Sequence, residues 1–225
     1  MKITWLGQAG LLFENEEVKI LIDPYFSDSV EKVNPNNFRR VPVLKDVFKI
    51  KPDIMIFTHN HLDHFDMETV GKFISSKTSV TVLAPKSVWD DVREIGGNNN
   101  YVLFNRGTSW TQSNVKFTAV KAEHSDFDAV GVIIDDGEKK YYITGDTLYN
   151  EEIFKDINEE IFALFLPVNG VGNNMNMVDA KRFCDRIKPH YAIPLHCGMF
   201  DEIDMNDFEC INKIVPEIYE EVRFI

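Results

Sequence analysis

The stretch FTHNHLDHFD, residues 57–66, sets three histidines and two aspartates within ten positions. It leaves the apolar run DIMIF (53–57), which reads as a buried strand. It runs into DMETVGKFISS (66–76), which reads as a helix with Asp66 as N-cap. His59, His61, Asp63 and His64 therefore fall on a strand-to-helix loop. On a strand, residues 59, 61 and 63 would share a face. On a loop leaving a strand, the same spacing can wrap donors around a pair of metals. Neutral imidazole and carboxylate are ligands for Zn²⁺ and its first-row neighbours. One loop histidine says little, but three within six positions, interleaved with Asp63, predict a metal site.

Other donors occur where such a site can use them. His124 lies in VKAEHSD, Asp146 in YITGDTLY and His196 in IPLHCGMF. Each follows a strand-like run, and the C-terminal ends of strands are where binding loops of α/β folds gather. Together with the cluster they make seven ligands, about the number two metals share with a bridging water. His190, in KPHYAI, precedes its strand and should sit at the opposite edge, as a surface or structural histidine.

Outward from these points, KITWL, GLLFE and VKILID read as an antiparallel meander. Residues 24–52 hold four prolines and little periodicity, and read as a long loop with one helical turn. SVTVLA is a strand. PKSVWDDVREI is a helix with Pro85 in its first turn and Gly96 beyond its end. YVLF, NVKFTAVKA, AVGVIID and KKYYIT are strands, the last two joined by the hairpin signal Asp136-Gly137. IFALFLPV is a buried strand, MVDAKRFCDRIK a helix, HYAIPL a strand, and a final helix is expected over roughly 205–215. This order fits mixed sheets covered by helices, and residues 1–225 read as one domain.

The bulk numbers narrow the function. Hydrophobic residues make up 44% of the 225, charged residues 27%, and the net charge is −12. That balance is globular. The charge disfavours nucleic-acid binding, which draws on Lys and Arg, and an anionic membrane surface. Cys184, Cys197 and Cys210 are an odd set without CxxC, as in a reduced cytoplasmic protein. The N-terminal stretch has no long apolar segment, so no signal peptide is expected. IFALFLPV is too short to span a bilayer.

The sequence THNHLDH matches the HxHxDH signature of the metallo-β-lactamase superfamily, and His124, Gly145-Asp146 and His196 match its later motifs in order. The resemblance runs from WLGQAG and ILIDP to IPLHCGMF. NGVGNNMNMVDA and IPLHCGMFD further resemble the branch that contains L-ascorbate-6-phosphate lactonase, whose characterised members are longer chains. The resemblance implies a four-layer αββα sandwich of two similar halves with metals at one edge between the sheets. It implies that His59, His61 and His124 hold one metal, that Asp63, His64 and His196 hold the other, and that Asp146 bridges them.

Such a centre implies a hydrolase. Water on a divalent ion has its pKa lowered to about 7, so a metal-bound hydroxide can attack a lactone, ester or phosphoester. Asp63 could orient it or pass its proton to the leaving group. The donors suit two divalent ions, Zn²⁺ first, with Mn²⁺ or Fe²⁺ also accepted. The residual positive field points to a small anionic metabolite. Asp23, in ILIDP, could hold a ligand imidazole from behind or simply form the turn before Pro24. Asn169, Asn173, Asn174 and Asn176, and Arg39 and Arg40 in the long loop, are candidate substrate contacts. Cys197 reads as a bystander thiol. The alternatives are a nuclease or phosphodiesterase of the same superfamily, disfavoured by charge, and a non-catalytic metal or redox module of the flavodiiron type, disfavoured by the intact donor set.

Overall fold

The computed structural model describes residues 1–224. The first sheet has six strands in the order β1 (Lys2–Gly7), β2 (Gly10–Glu14), β3 (Lys19–Ile22), β4 (Ile54–Ile56), β5 (Thr81–Ala84) and β6 (Asn100–Leu103). β1, β2 and β3 run antiparallel, and β3 to β6 run parallel. The second sheet repeats the plan in the order β12 (Tyr191–Leu195), β11 (Ala163–Pro167), β10 (Lys140–Ile143), β9 (Val130–Asp135), β8 (Val115–Lys121) and β7 (Ser109–Gln112). There β7 to β10 are antiparallel and β10 to β12 parallel.

Alternating apolar residues explain the layers. Ile20 and Ile22 of β3, and Ile54 and Ile56 of β4, face a central core shared with Phe117, Ile134, Phe165 and Ile193 of the other sheet. Leu21 and Met55 face the opposite way, onto a second core under α2 (Met67–Phe73) and α3 (Lys86–Val92). On the far side, Leu164, Leu166 and Ala192 pack beneath α4 (Met177–Ile187). A one-residue slip in any of these strands would exchange its two faces, so the register is strongly set. The result is the αββα sandwich that the resemblance implies. No helix among the described residues is long and apolar enough to cross a membrane.

Asp66 caps α2 as its sequence position predicts, accepting from the backbone amides of Glu68 and Thr69. The long loop 24–52 contains two short helices, α1 (Ser29–Val33) and a 3₁₀ stretch at Lys45–Lys49, where one turn is expected. The strand β7 was not legible in the sequence. The helix expected over roughly 205–215 is absent: only Met205–Asp207 makes a 3₁₀ turn. Asn212 takes a left-handed φ of 55°, and the chain then lies along β12, with Ala192 donating to the Asn212 carbonyl and Ile214 donating to the Ala192 carbonyl. Residues 219–222 cover the edge strand β1 in the same way, through Trp5–Glu220, Tyr219–Trp5 and Val222–Ile3 backbone bonds. Covering unpaired strand edges outweighs local helix propensity in this segment.

Candidate metal centre

Strand ends from both sheets deliver the candidate residues to one edge of the sandwich. β4 ends at Ile56, and the loop beyond it carries His59 to His64. A tight turn, with the amides of His64 and Phe65 donating to the His61 carbonyl, folds His64 back toward His59. The Val130 amide donates to the Thr58 carbonyl and fastens this loop to β9. His124 follows β8, Asp146 follows β10, and His196 follows β12 with a φ of 67°. Gly145, at φ 60°, lies so close to Thr58 that an added Cβ would meet the threonine Cβ at 2.8 Å. Glycine there lets the two sheets' loops touch.

Two groups of donors result. One ligand atom each from His59, His61, His124 and Asp146 can be chosen so that all lie within 4.8 Å of one another, and the same holds for Asp63, His64 and His196. Asp146 lies between them: Oδ2 is 4.0 Å from His59 Nε2 and 3.2 Å from His196 Nε2, and Oδ1 is 3.2 Å from His64 Nε2. His196 Nε2 is also 3.2 Å from Asp63 Oδ2. The His61 and His124 side chains are half-buried, whereas His59 and His64 are fully buried. The centre thus has one open side.

Electrostatics divide the histidines into two kinds. Burial, helped by the neighbouring His64, drives the His59 imidazole well below its ordinary pKa, and burial lowers His124 too. These rings are neutral and carry free electron pairs. Burial would also lower His64 and His196, but the carboxylates reverse it. Asp146, Asp63 and Asp23 raise His64 well above its usual value, and Asp146 and Asp63 lift His196 to about 10. Burial opposes ionisation of Asp63 and Asp146, yet His64 and His196 hold both carboxyls below the usual range. Near neutral pH both aspartates are therefore carboxylates.

Further residues position these donors. Asp23 is fully buried at a left-handed φ of 40°, so it forms the turn and also supports the cluster. Its Oδ2 is 2.9 Å from His64 Nδ1, and its Oδ1 accepts from the Thr58 amide at 2.8 Å. Asn169 Nδ2 lies 3.1 Å from His196 Nδ1, and Asn174 donates to Asp146 Oδ2 at 2.9 Å. Asn173 reaches His124 Nδ1 only through its carbonyl oxygen, at 3.3 Å. Asn176 caps α4 by accepting from the Asp179 amide. The loop Asn169–Asn176 thus borders the centre, but two of its amides support ligand candidates and a third caps a helix.

The two arginines border the loop that follows His196: Arg39 Nη1 donates to Met199 Sδ at 3.0 Å, and the Arg40 amide donates to the Met199 carbonyl. Arg39 donates to the Tyr25 and Ser27 carbonyls, and its guanidinium lies over the Tyr25 ring. Arg40 pairs with Glu202 at 3.1 Å. Cys197 is buried, its thiol pushed up to about 12 by that burial, and it donates to the Leu195 carbonyl. His190 is exposed and bonds Glu160.

Gln8 was missed by the sequence reading. It sits buried at the tip of the β1–β2 turn, at a left-handed φ of 50°. Its Nε2 donates to Asp63 Oδ2 at 2.7 Å and lies 3.1 Å from His196 Nε2. The only sequence signal is a non-glycine between Gly7 and Gly10 in WLGQAG, and nothing local shows that its amide reaches a loop 55 residues away.

Comparison with known proteins agrees with this architecture. The family described as the beta-lactamase superfamily domain matches residues 18–197. A UPF0173 metal-dependent hydrolase of Thermoplasma acidophilum is 30% identical over 245 residues, covering 99% of this chain and 98% of that protein. One from Carboxydothermus hydrogenoformans is 27% identical over 230 residues, covering 93% and 91%. Among solved structures, Igni18, a metallo hydrolase of the archaeon Ignicoccus hospitalis, superposes with a TM-score of 0.78 at 22% identity, covering 100% of this chain and 98% of that one.

Proposed function

This chain belongs to the metallo-β-lactamase superfamily, and on that premise we propose that it is a metal-dependent hydrolase with a two-metal centre. Its substrate is a small-molecule lactone, ester or phosphoester. The observation that carries the proposal is His59 Nε2, a fully buried imidazole nitrogen with no hydrogen-bond partner among the described residues. An unpaired buried polar atom costs about 1–3 kcal/mol, and a cation among the surrounding imidazoles and carboxylates would remove that cost. The donor set fits: only nitrogen and carboxylate oxygen, with partners behind His64, Asp146 and His196.

His59, His61 and His124 would hold one divalent ion, Asp63, His64 and His196 the other, and Asp146 both. Zn²⁺ suits these donors first, and Mn²⁺ and Fe²⁺ are also compatible. When bound, such ions supply Lewis acidity and make water acidic enough to react near pH 7.

The chain's own residues supply the rest. Asp63 is ionised, and its side chain is 18% exposed while that of Asp146 is 4% exposed. Asp63 can therefore exchange protons with substrate and solvent, whereas Asp146 is confined to positioning. Asp63 takes a proton from the attacking water as its oxygen bonds to the carbonyl carbon or phosphorus. It returns that proton to the leaving oxygen as the bond to that oxygen breaks. Gln8 holds the Asp63 carboxylate in place through Oδ2. Three free thiols, Cys184, Cys197 and Cys210, support a cytoplasmic setting.

The test is direct. The purified protein is analysed for metals and assayed on ester, lactone and bis-phosphoester substrates with and without chelator. Metal content near two per chain and turnover abolished by chelator or by His59→Ala are expected. Turnover indifferent to both would refute the reading.

A further inference from the structure

Five segments frame the metal centre: 57–66, 122–129, 144–150, 168–176 and 196–202. None contains a lysine or arginine, but together they carry the helix cap Asp66 and Glu123, Asp126, Asp128, Asp201 and Glu202 besides the metal-ligand candidates. Cations that touch or adjoin them are engaged: Arg39 with Tyr25, Ser27 and Met199, Arg40 with Glu202, Lys121 with Glu123, and Arg182, which lies over the Tyr149 ring, with Asp179. A negative charge away from the reacting bond would thus meet carboxylates and, among the described residues, cations that are already bonded.

Four of the segments each expose one large apolar side chain. Leu62 is 39% exposed, Phe127 102%, Leu148 41% and Val171 59%. Each is tied to the centre by its neighbours. Leu62 stands between His61 and Asp63. Phe127 lies in a turn whose Asp126 accepts from the Asn60 amide at 3.0 Å. The Leu148 amide donates to the carbonyl of Glu123, the residue before His124. Val171 sits on the loop whose Asn173 carbonyl meets His124 and whose Met175 amide donates to Thr147. Exposed apolar side chains on the loops around a site offer an apolar group of a substrate something to pack against.

We infer that the substrate is an uncharged ester or lactone bearing an apolar chain or ring, and that Leu62, Phe127, Leu148 and Val171 receive that group at the mouth of the centre. The inference rests on the hydrolase reading and narrows it. It differs from the anionic metabolite expected from the sequence, because the guanidinium groups that could anchor an anion are already bonded, that of Arg39 to Tyr25, Ser27 and Met199 and that of Arg40 to Glu202.

The test compares p-nitrophenyl acetate, hexanoate and hemiadipate on the metal-loaded protein. Hexanoate and hemiadipate have equal chain length, and only the latter ends in a carboxylate. Burying one methylene is worth about fourfold in binding, so hexanoate should exceed acetate in kcat/KM by about tenfold even with partial burial. It should exceed hemiadipate by at least as much, and Phe127→Ser should narrow the hexanoate-to-acetate ratio about threefold, mainly through KM. A ratio near one, or a preference for hemiadipate, overturns the inference. A second readout does not need turnover: saturation-transfer NMR of N-hexylacetamide should show contact with the hexyl methylenes, weakened in Phe127→Ser. Binding without metal-dependent hydrolysis of any ester, lactone or bis-phosphoester would leave the apolar mouth standing and refute the hydrolase reading. No contact with the amide would refute the apolar mouth itself.

Discussion

The Gln8 side-chain amide donates to Asp63 Oδ2 at 2.7 Å, joining the first turn of the chain to the histidine-rich loop. Both residues are anchored independently, Gln8 by the hairpin and Asp63 by the turn at His61, so the bond sets where the Asp63 carboxylate points. Partners of this kind typically change metal affinity or activity 10–100-fold. Gln8→Ala should weaken the site of Asp63, His64 and His196 about tenfold, leaving the site of His59, His61 and His124 filled. Metal titration would resolve one weakened and one intact site, and equal weakening of both would contradict this.

Asp23 combines two roles that substitution can separate. Asn tolerates its left-handed backbone but cannot accept on both oxygens. Asp23→Asn should keep the turn and lower metal affinity by 10–100-fold. Asp23→Ala should also lose about 3 kcal/mol of stability, because the Thr58 amide and hydroxyl and His64 Nδ1 are left without the carboxylate. Urea unfolding of the two variants side by side checks the difference.

Acid stability depends on a pair outside the centre. Arg106 grips Asp156 with two bonds of 2.7 Å, and the Lys121 amide, at the end of the strand leading to His124, donates to the same carboxylate. Arg106 holds the Asp156 carboxyl below its ordinary value. The sign follows: with a depressed folded pKa, the contribution is complete above the unfolded value of about 3.9 and is lost as pH falls through the folded one. Asp156→Asn should therefore flatten part of the stability loss below about pH 4. A double-mutant cycle with Arg106→Ala at pH 7 should give a coupling of about 1 kcal/mol, as for other partly exposed pairs. A coupling of zero would remove this pair from the account.

Metal removal should be visible without any substrate. A ligand present at a thousand times its Kd stabilises the folded state by about 4 kcal/mol. For a chain of this size that corresponds to a Tm shift of about 10 °C. Adding chelator should lower the Tm by that amount, and His59→Ala should show a smaller chelator effect. An unchanged melting curve would speak against bound metal.

Much of the fold was legible because its causes are local. The alternation in NVKFTAVKA requires only that one face be buried, and Asp66 caps α2 through amides two and three residues away. The segment after Met205 was misread for the opposite reason. Its backbone partners belong to β12, and no local propensity reveals an edge strand in need of cover. Arg39 and Arg40 were similarly opaque: which carbonyls, ring or carboxylate a long cationic side chain meets depends on chain segments brought in from elsewhere.

The sequence by itself determined which donors stand at the ends of which strands, since residue order and period-two burial are properties of the chain. Only the tertiary structure decided that two sheets bring those ends within a few ångströms, that Asp146 stands between the two donor groups, that Gln8 reaches Asp63, and that Leu62, Phe127, Leu148 and Val171 stand exposed on loops tied to the centre. Those facts arise from packing sheet against sheet, a contact between segments far apart in sequence, and no local pattern encodes its distances.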